Sequence, residues 1–381
     1  MKKAIYHSDF KLGVLGGGQL GRMFIQEAIN LDVAVHCMDS DEDAPCAALA
    51  HSFTLGDLKN YQDVIQFGKD KDVLTIEIEH VNVDALEDLE KQGVKVYPQP
   101  SVLRTIQDKG LQKDFYQHHD IPTAPFAFIK DKTELQEKIH YPCVQKLRKG
   151  GYDGKGVQVL RSEKDLDKAF TGPSIMEHMV DFEKELSVIV ARNQSGQIST
   201  FPVVDMEFNA EANLVEFLFS PADVSLEIEK KAIAVATQVA EQMKIVGILA
   251  VELFLTKSGE VLVNEVAPRP HNSGHQTIEG NITSQYEQHL RAILNLPLGN
   301  TDIISPSVMV NLLGEKHQTG EVFYEGLEEV LAIPGVHVHL YGKKHTKPFR
   351  KMGHITITDA TVYRAKEKAK KIKELLKSTT L

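Results

Sequence analysis

Two hydrophobic rhythms alternate along this chain. Short β-rich apolar runs end in glycine, proline or acidic residues, and between them lie stretches whose apolar positions recur every three to four residues. In the first hundred residues the runs predict strands over 11–15, 33–38, 72–80 and 94–98, with a helix over 22–30. Further strands are predicted over 141–146, 157–160, 174–180 and 183–191, and helices over 101–118, with Ser101 as N-cap, and 225–244. The second helix carries Ile228, Ala232, Val235, Ala236, Val239, Ala240 and Met243 on one face, a stripe suited to a core. Two β-rich runs, 248–255 and 261–267, flank Ser258-Gly259 and predict a hairpin with those two residues as its loop. Strands over 307–313, 336–341 and 354–358 and a surface helix over 360–377 complete the pattern. The fold class is therefore α/β and α+β. Three regions are expected: a Rossmann-like N-terminal domain (1–100), a middle domain (101–295) and a small C-terminal β-rich cap (296–381), with Pro98-Gln99-Pro100 at the first boundary.

The hairpin carries the first candidate chemistry. In the predicted register Lys257 pairs with Glu260, and Glu252 faces Glu265 with Cβ atoms roughly 5 Å apart. Either a cation lies between the two carboxylates, or a register slip turns one of them to solvent. Mg²⁺ takes one or two carboxylates and leaves its other positions to water and substrate phosphate, and Asn264 could add an amide oxygen. The segment that follows holds Arg269, His271, Asn272 and His275, kept extended by Pro268 and Pro270. A guanidinium beside such a site suits a small planar oxyanion, such as bicarbonate or a carboxyl phosphate.

Two glycine-rich turns add phosphate chemistry. Gly16-Gly17-Gly18-Gln19-Leu20-Gly21 joins a strand to a helix, and Asp39 ends the next strand. That reads as a dinucleotide site or as a tight turn without ligand. Glu79 and His80 close the run at 72–80, where ligands gather in open α/β sheets. Residues 149–156 interleave four glycines with two lysines, and Lys146 lies just before them. They read as a flap over polyphosphate or as a glycine-rich surface hairpin, and the ending of a Walker A loop is missing. Lys343, Lys344, Lys347, Arg350 and Lys351 form a basic cluster, either solvated or phosphate-binding.

A net charge of −10 argues against general nucleic-acid or anionic-membrane binding. Three cysteines without metal spacing, no signal-peptide pattern and no apolar run of membrane-span length predict a cytoplasmic protein.

Lys146, residues 150–156, Glu177, Glu185, Glu252 and Asn264-Glu265 together resemble the ATP-grasp superfamily. The strings 16–23, 150–154 and 264–275 narrow this, over nearly the whole chain, to a resemblance to 5-(carboxyamino)imidazole ribonucleotide synthetases. The resemblance implies an ATP-grasp fold with a pre-ATP-grasp domain, and ATP- and bicarbonate-dependent carboxylation of 5-aminoimidazole ribonucleotide through carboxyphosphate. It implies ATP phosphates on Lys109 and Lys146, under a flap of Gly151, Tyr152, Asp153, Gly154, Lys155, Gly156 and Val157. Adenine would lie along Glu177, His178, Met179 and Val180, ribose on Glu185, and Mg²⁺ on Glu252 and Glu265 beside Asn264. Arg269, His271, Asn272 and His275 would meet bicarbonate and carboxyphosphate. Gln19, Leu20, Glu79, Tyr152, Asp153, Lys343 and Arg350 would hold the aminoimidazole nucleotide, and a homodimer is implied. Two positions depart from the family pattern: Lys109 stands where arginine is frequent, and Phe208 where histidine is usual. Rival readings are a dinucleotide-dependent oxidoreductase, another ATP-grasp ligase, and a nucleotide-binding regulator without turnover.

Overall fold

A computed structural model of the chain describes residues 5–150, 156–209 and 214–380. The first hydrophobic runs form a five-stranded parallel sheet, ordered Ser52–Leu55, Val35–Asp39, Leu12–Leu15, Val73–Ile76 and Lys95–Val96. Its central strands are buried on both faces, as parallel strands between helices must be. Helix Gln19–Asn30 follows the first strand and buries Leu20, Met23, Phe24, Ile25 and Ala28. The strand expected over 72–80 stops at Ile76, because Glu77 turns in towards the glycine loop and its carboxylate accepts from the Leu20 N–H at 3.0 Å. The strand expected over 94–98 is reduced to Lys95–Val96.

The helix expected over 101–118 is two helices, Pro100–Ile106 and Lys109–His118. Gln99 precedes the first and Pro100 occupies its opening turn, so Ser101 is not the cap. Asp108 starts the second by accepting from the N–H groups of Gly110 (2.8 Å) and Leu111 (3.3 Å). The segment 126–178 forms a four-stranded antiparallel sheet, ordered Phe126–Ile129, Ser174–His178, Cys143–Leu147 and Val157–Leu160.

The largest sheet is antiparallel and holds Phe182–Arg192, Val204–Asn209, Leu214–Ser220, Gly247–Thr256 and Val261–Ala267. It continues through Ser307–Leu313 into Lys351–Thr358 and Val336–Leu340, so the C-terminal strands extend the sheet of the middle region. Helix Leu226–Met243, capped by Ser225, lies on one face. Its Ala232, Ala236, Val239, Ala240 and Met243 pack on Leu186, Val188, Val190, Leu249, Val251, Leu253 and Leu255. A fully buried leucine or valine of this kind contributes about 2 kcal/mol by leaving water. Because strand side chains alternate, the residues between those positions, Glu185, Ser187, Glu252 and Phe254, point to the opposite face. The final helix, Val362–Leu375, is solvated on one side only, since Ala365, Ala369 and Ile372 are buried under the C-terminal strands. Among the described residues no helix is long and apolar enough to cross a membrane.

Candidate active site

Glu252 and Glu265 are cross-strand partners, although the hairpin that pairs them is not the one predicted. The loop has three residues, 257–259. The Thr256 N–H donates to the Glu260 carbonyl at 2.9 Å, the Gly259 N–H donates back to Thr256, and Gly259 takes the left-handed φ of +82° that such a loop needs. That loop sets Leu255 opposite Val261 and Leu253 opposite Val263. An unbroken strand would then send Glu265 into the same core as Val261 and Val263. A β-bulge between these pairs and Glu252 shifts the register by one at Asn264. It returns Val266 to the core and turns Glu265 to the face of Glu252. The one-residue difference at the loop and the one-residue bulge cancel.

Three carboxylates share this face. Burial, then the charges of Glu265 and Glu185, push the Glu252 carboxyl up to about 8. Burial and Glu265 push Glu185 up to about 7. Burial acts on Glu265 in the same sense, but Lys109 and Lys146 outweigh it and hold this carboxyl below its ordinary value. Glu265 opens on the cleft, with its side chain 47% exposed, and Lys109 Nζ lies 3.3 Å away. Lys146 Nζ reaches the Asn264 Oδ1 at 3.1 Å and Glu177 at 2.8 Å. Glu177 is buried and also binds Lys113 Nζ at 2.8 Å, so one carboxylate anchors two ammonium groups. Arg148, just before the glycine-rich segment 149–156, grips Asp108 through two bonds of 2.8 and 2.9 Å. Its carbonyl accepts from the Lys109 N–H at 2.8 Å, which ties the root of that segment to the start of the Lys109 helix.

The segment after the second strand is extended only as far as His271 and then turns through a short 3-10 helix, Asn272–Gly274, closing the site from the other side. Arg269 Nε meets Glu79 Oε1 at 2.8 Å, joining it to the loop that follows strand Val73–Ile76 of the parallel sheet. The His271 ring turns Nε2 towards Glu252, 3.6 Å away, and Nδ1 towards Ser273 Oγ at 2.9 Å. Burial, with Arg269 and Lys351 nearby, lowers this imidazole to about 3, so it is neutral. Ser273 is held in turn by Ser187, 2.8 Å away on the strand beside Glu252.

The first glycine turn holds no space for a dinucleotide phosphate, because the chain fills it with its own anion. Cβ atoms added to Gly16 and Gly18 would lie 2.7 and 2.4 Å from the Glu77 carboxylate. Asp39 turns inward to accept from the Gly17 N–H at 2.7 Å rather than standing free for a ribose. The helix N-terminus that would attract phosphate is thus neutralised within the protein.

Among the described residues no three His, Cys, Asp or Glu side chains make a ready metal cage. Two carboxylates and an amide oxygen instead suit a hard cation that completes its shell with water and phosphate.

Sequence comparison matches the chain, region by region, to known domain families. Residues 10–107 match the ribonucleotide synthetase preATP-grasp domain, 114–286 the ATP-grasp domain, and 307–368 the phosphoribosylaminoimidazole carboxylase C-terminal domain. The chain is 39% identical to the N5-carboxyaminoimidazole ribonucleotide synthase of Bacillus subtilis, over 93% of each. It is 42% identical to the chloroplastic phosphoribosylaminoimidazole carboxylase of Vigna aconitifolia, over 92% of this chain but 64% of that longer protein. It also superposes with a TM-score of 0.88 and 33% identity on the Aspergillus clavatus N5-carboxyaminoimidazole synthase, solved in complex with ADP and 5-aminoimidazole ribonucleotide. That match covers 97% of this chain and 99% of the other.

The chain belongs to the N5-carboxyaminoimidazole ribonucleotide synthetase family.

Of the residues that the resemblance to this family singles out, the structure gathers Lys109, Lys146, Glu177, Glu185, Glu252, Asn264, Glu265, Arg269 and His271 around one face. Gln19 and Leu20 open the helix beside Glu77. Lys343, lowered to about 8 by burial and Arg350, feels the Glu77 charge from the C-terminal side. Its Nζ donates to the Lys351 carbonyl at 2.6 Å, and Arg350 donates to that of His345. His178 ends its strand, Met179 is 39% exposed and Val180 half-buried, while Val157 pairs with Lys146 and the Gly156 carbonyl accepts from the Leu147 N–H at 2.8 Å. Gly151, Tyr152, Asp153, Gly154 and Lys155 lie outside the described residues. Asn272 is buried, and His275 is buried behind the site, its Nδ1 facing Tyr286 and Gln285. Phe208 packs on Val204, Met206, Val215, Leu218 and Met309, a role in packing.

The sequence reading missed Glu77 as the occupant of the glycine turn, Lys113 and Gln285. Lys113 carried a usable signal: it lies four residues after Lys109 and so shares its helix face.

Proposed function

We propose that this protein carboxylates the exocyclic amine of 5-aminoimidazole ribonucleotide with ATP and bicarbonate, releasing ADP and phosphate in de novo purine synthesis. The reading rests above all on the Glu252/Glu265 pair, aimed by the bulge into a cleft lined by Lys109, Lys146 and Arg269. It is an ATP-dependent carbon–nitrogen ligase. A bicarbonate oxygen attacks the γ-phosphorus as ADP leaves. The carboxyphosphate then gives up CO₂ and phosphate, and the amine nitrogen bonds to the CO₂ carbon and loses a proton. Such a transfer is accelerated by positioning and charge neutralisation.

In this reading Lys109 and Lys146 leave their carboxylate and amide partners for ATP phosphates, beneath the flap 151–157. Residues 177–180 line the adenine and Glu185 the ribose. Glu252 and Glu265, beside Asn264, would hold Mg²⁺, which supplies neutralising charge to the phosphates. Arg269 orients bicarbonate, with His271 as a neutral donor or acceptor next to it and Asn272 beside them. Gln19, Leu20, Glu79, Tyr152, Asp153, Lys343 and Arg350 take the ribonucleotide. We place the enzyme in the cytoplasm, as a homodimer, without nucleic-acid or membrane partners.

The decisive test is ADP release from Mg²⁺-ATP with and without the aminoimidazole nucleotide and bicarbonate. Release that needs both, with labelled bicarbonate captured in an acid-labile product, is the expected result. Release indifferent to the nucleotide would overturn the assigned acceptor.

The carboxylate pair also predicts a pH-dependent metal affinity. Glu252 ionises at its ordinary 4.5 in the unfolded chain but near 8 in the fold. The metal-free fold therefore binds the extra proton, and its stability falls as pH rises between those values. A divalent ion must displace that proton, so its affinity climbs by up to about tenfold per pH unit through the same window and levels off above it. Calorimetric Mg²⁺ titrations at about pH 6.5 and about pH 8.5 check this. Equal affinity at both would show that Glu252 takes no part.

A further inference from the structure

The segment from Arg269 to His275 belongs to no strand, although its side chains reach Glu79 and Ser187, so something must fix its backbone. Gln285, at the start of helix Gln285–Ile293, does this from a wholly buried position. Its Oε1 accepts from the His271 N–H at 2.8 Å, and its Nε2 donates to the His271 carbonyl at 2.8 Å. One side-chain amide thus closes on both polar groups of a single residue, in the manner of a strand partner. Because a backbone N–H can only donate and a carbonyl only accept, the orientation of the amide is fixed.

The remaining Nε2 proton points at His275 Nδ1, 3.2 Å away, where the Tyr286 hydroxyl also lies at 3.0 Å. Nδ1 is therefore an acceptor, and the neutral ring keeps its proton on Nε2. The segment is shaped around the amide: a Cβ on Gly274 would lie 2.4 Å from Gln285 Oε1 and 2.3 Å from Ile189 Cδ1. Thr277 completes the frame, donating to the Gly274 carbonyl at 2.5 Å while its hydroxyl accepts from the Gln285 N–H at 2.8 Å.

We infer that Gln285 is a positioning residue, whose amide clamps the His271 peptide and so holds His271 against Glu252 and Arg269 against Glu79. The inference builds on the reaction assigned above. With the clamp loosened, Arg269 and His271 no longer hold the activated carboxyl group in line, and ATP is spent without carboxylation.

The test compares wild type with Gln285→Met and Gln285→Glu in ADP release, labelled bicarbonate capture, and amide hydrogen exchange at His271. In Gln285→Met, exchange at His271 rises about tenfold, as expected for loss of one hydrogen bond. Product formation falls by about ten- to a hundredfold. The ratio of ADP to product rises above unity, a quantity that does not depend on how much enzyme is folded. Gln285→Glu keeps the acceptor for the His271 N–H. Its ionised carboxylate cannot donate to the carbonyl, whereas its protonated form can. Uncoupling in that variant, relative to wild type at the same pH, therefore shrinks as pH falls. Unchanged exchange at His271, or faster exchange with the ratio still at unity, overturns the inference. Absence of nucleotide-dependent ADP release in wild type is instead a failure of the assigned reaction, and exchange at His271 still decides whether Gln285 holds the segment.

Discussion

Glu265→Gln lowers kcat by on the order of a thousandfold or more, while the protein stays folded. The amide matches the carboxylate in shape and hydrogen-bonding reach, so the bulge at Asn264 and the packing of Val266 are undisturbed. Lys109 loses its partner, but with the Glu265 side chain 47% exposed that pair is worth at most about 1 kcal/mol. What disappears is one of two negative charges that face each other across the strands, and with it the ability to hold a divalent ion against polyphosphate. The variant has a second signature. Glu265 is one of the charges that push the Glu252 carboxyl upward, so its removal moves Glu252 back towards the ordinary carboxylate range. Residual Mg²⁺ affinity is then weaker but depends less on pH above neutrality. Steady-state kinetics and a metal titration check both parts. A kcat near that of wild type would remove Glu265 from the metal site.

How the site was legible in the sequence follows from what kind of force places each residue. Glu252 and Glu265 are findable because strand alternation and hairpin pairing act over a few residues, and both are visible as apolar runs around a glycine. The bulge is not findable in that way. It exists because Val261, Val263 and Val266 must all enter one core beneath helix Leu226–Met243, a requirement that spans three elements. The facing pair emerged from the sequence only because the assumed loop was one residue short in the sense that the bulge corrects. Glu77 illustrates the opposite limit. The pattern Gly16–Gly21 looks the same whether a phosphate or a carboxylate fills it, and the choice is made by Glu77, just past the end of a strand and about sixty residues away. The helix expected over 101–118 divides for a local reason: Asp108 caps more favourably than it propagates, so one periodic stretch folds as two helices. Gln285 carries no local signal at all, since its role depends on the chain passing on both sides of one amide.

Lys113, Glu177 and Lys146 give the second large effect. Their side chains are 3%, 6% and 11% exposed, and both ammonium groups lie 2.8 Å from the one carboxylate. Burial acts to neutralise Glu177 and Lys113. The two lysines win at Glu177, which stays below its ordinary value, while burial wins over Glu177 at Lys113, which is lowered. Removing the carboxylate leaves two like charges facing each other out of water, whereas removing Lys113 leaves a matched pair. Glu177→Gln is therefore expected to cost about 3–5 kcal/mol of folding free energy, and Lys113→Met clearly less. The double variant should recover most of the loss, because its single remaining ammonium, Lys146, keeps the Asn264 oxygen as a partner. Chemical denaturation of the three variants measures the cycle. The deficit of Glu177→Gln should also shrink as pH rises and a lysine can shed its proton, the sense opposite to that of a lost acid–base attraction. A double variant no more stable than Glu177→Gln would show that the two lysines are not held against each other by this carboxylate.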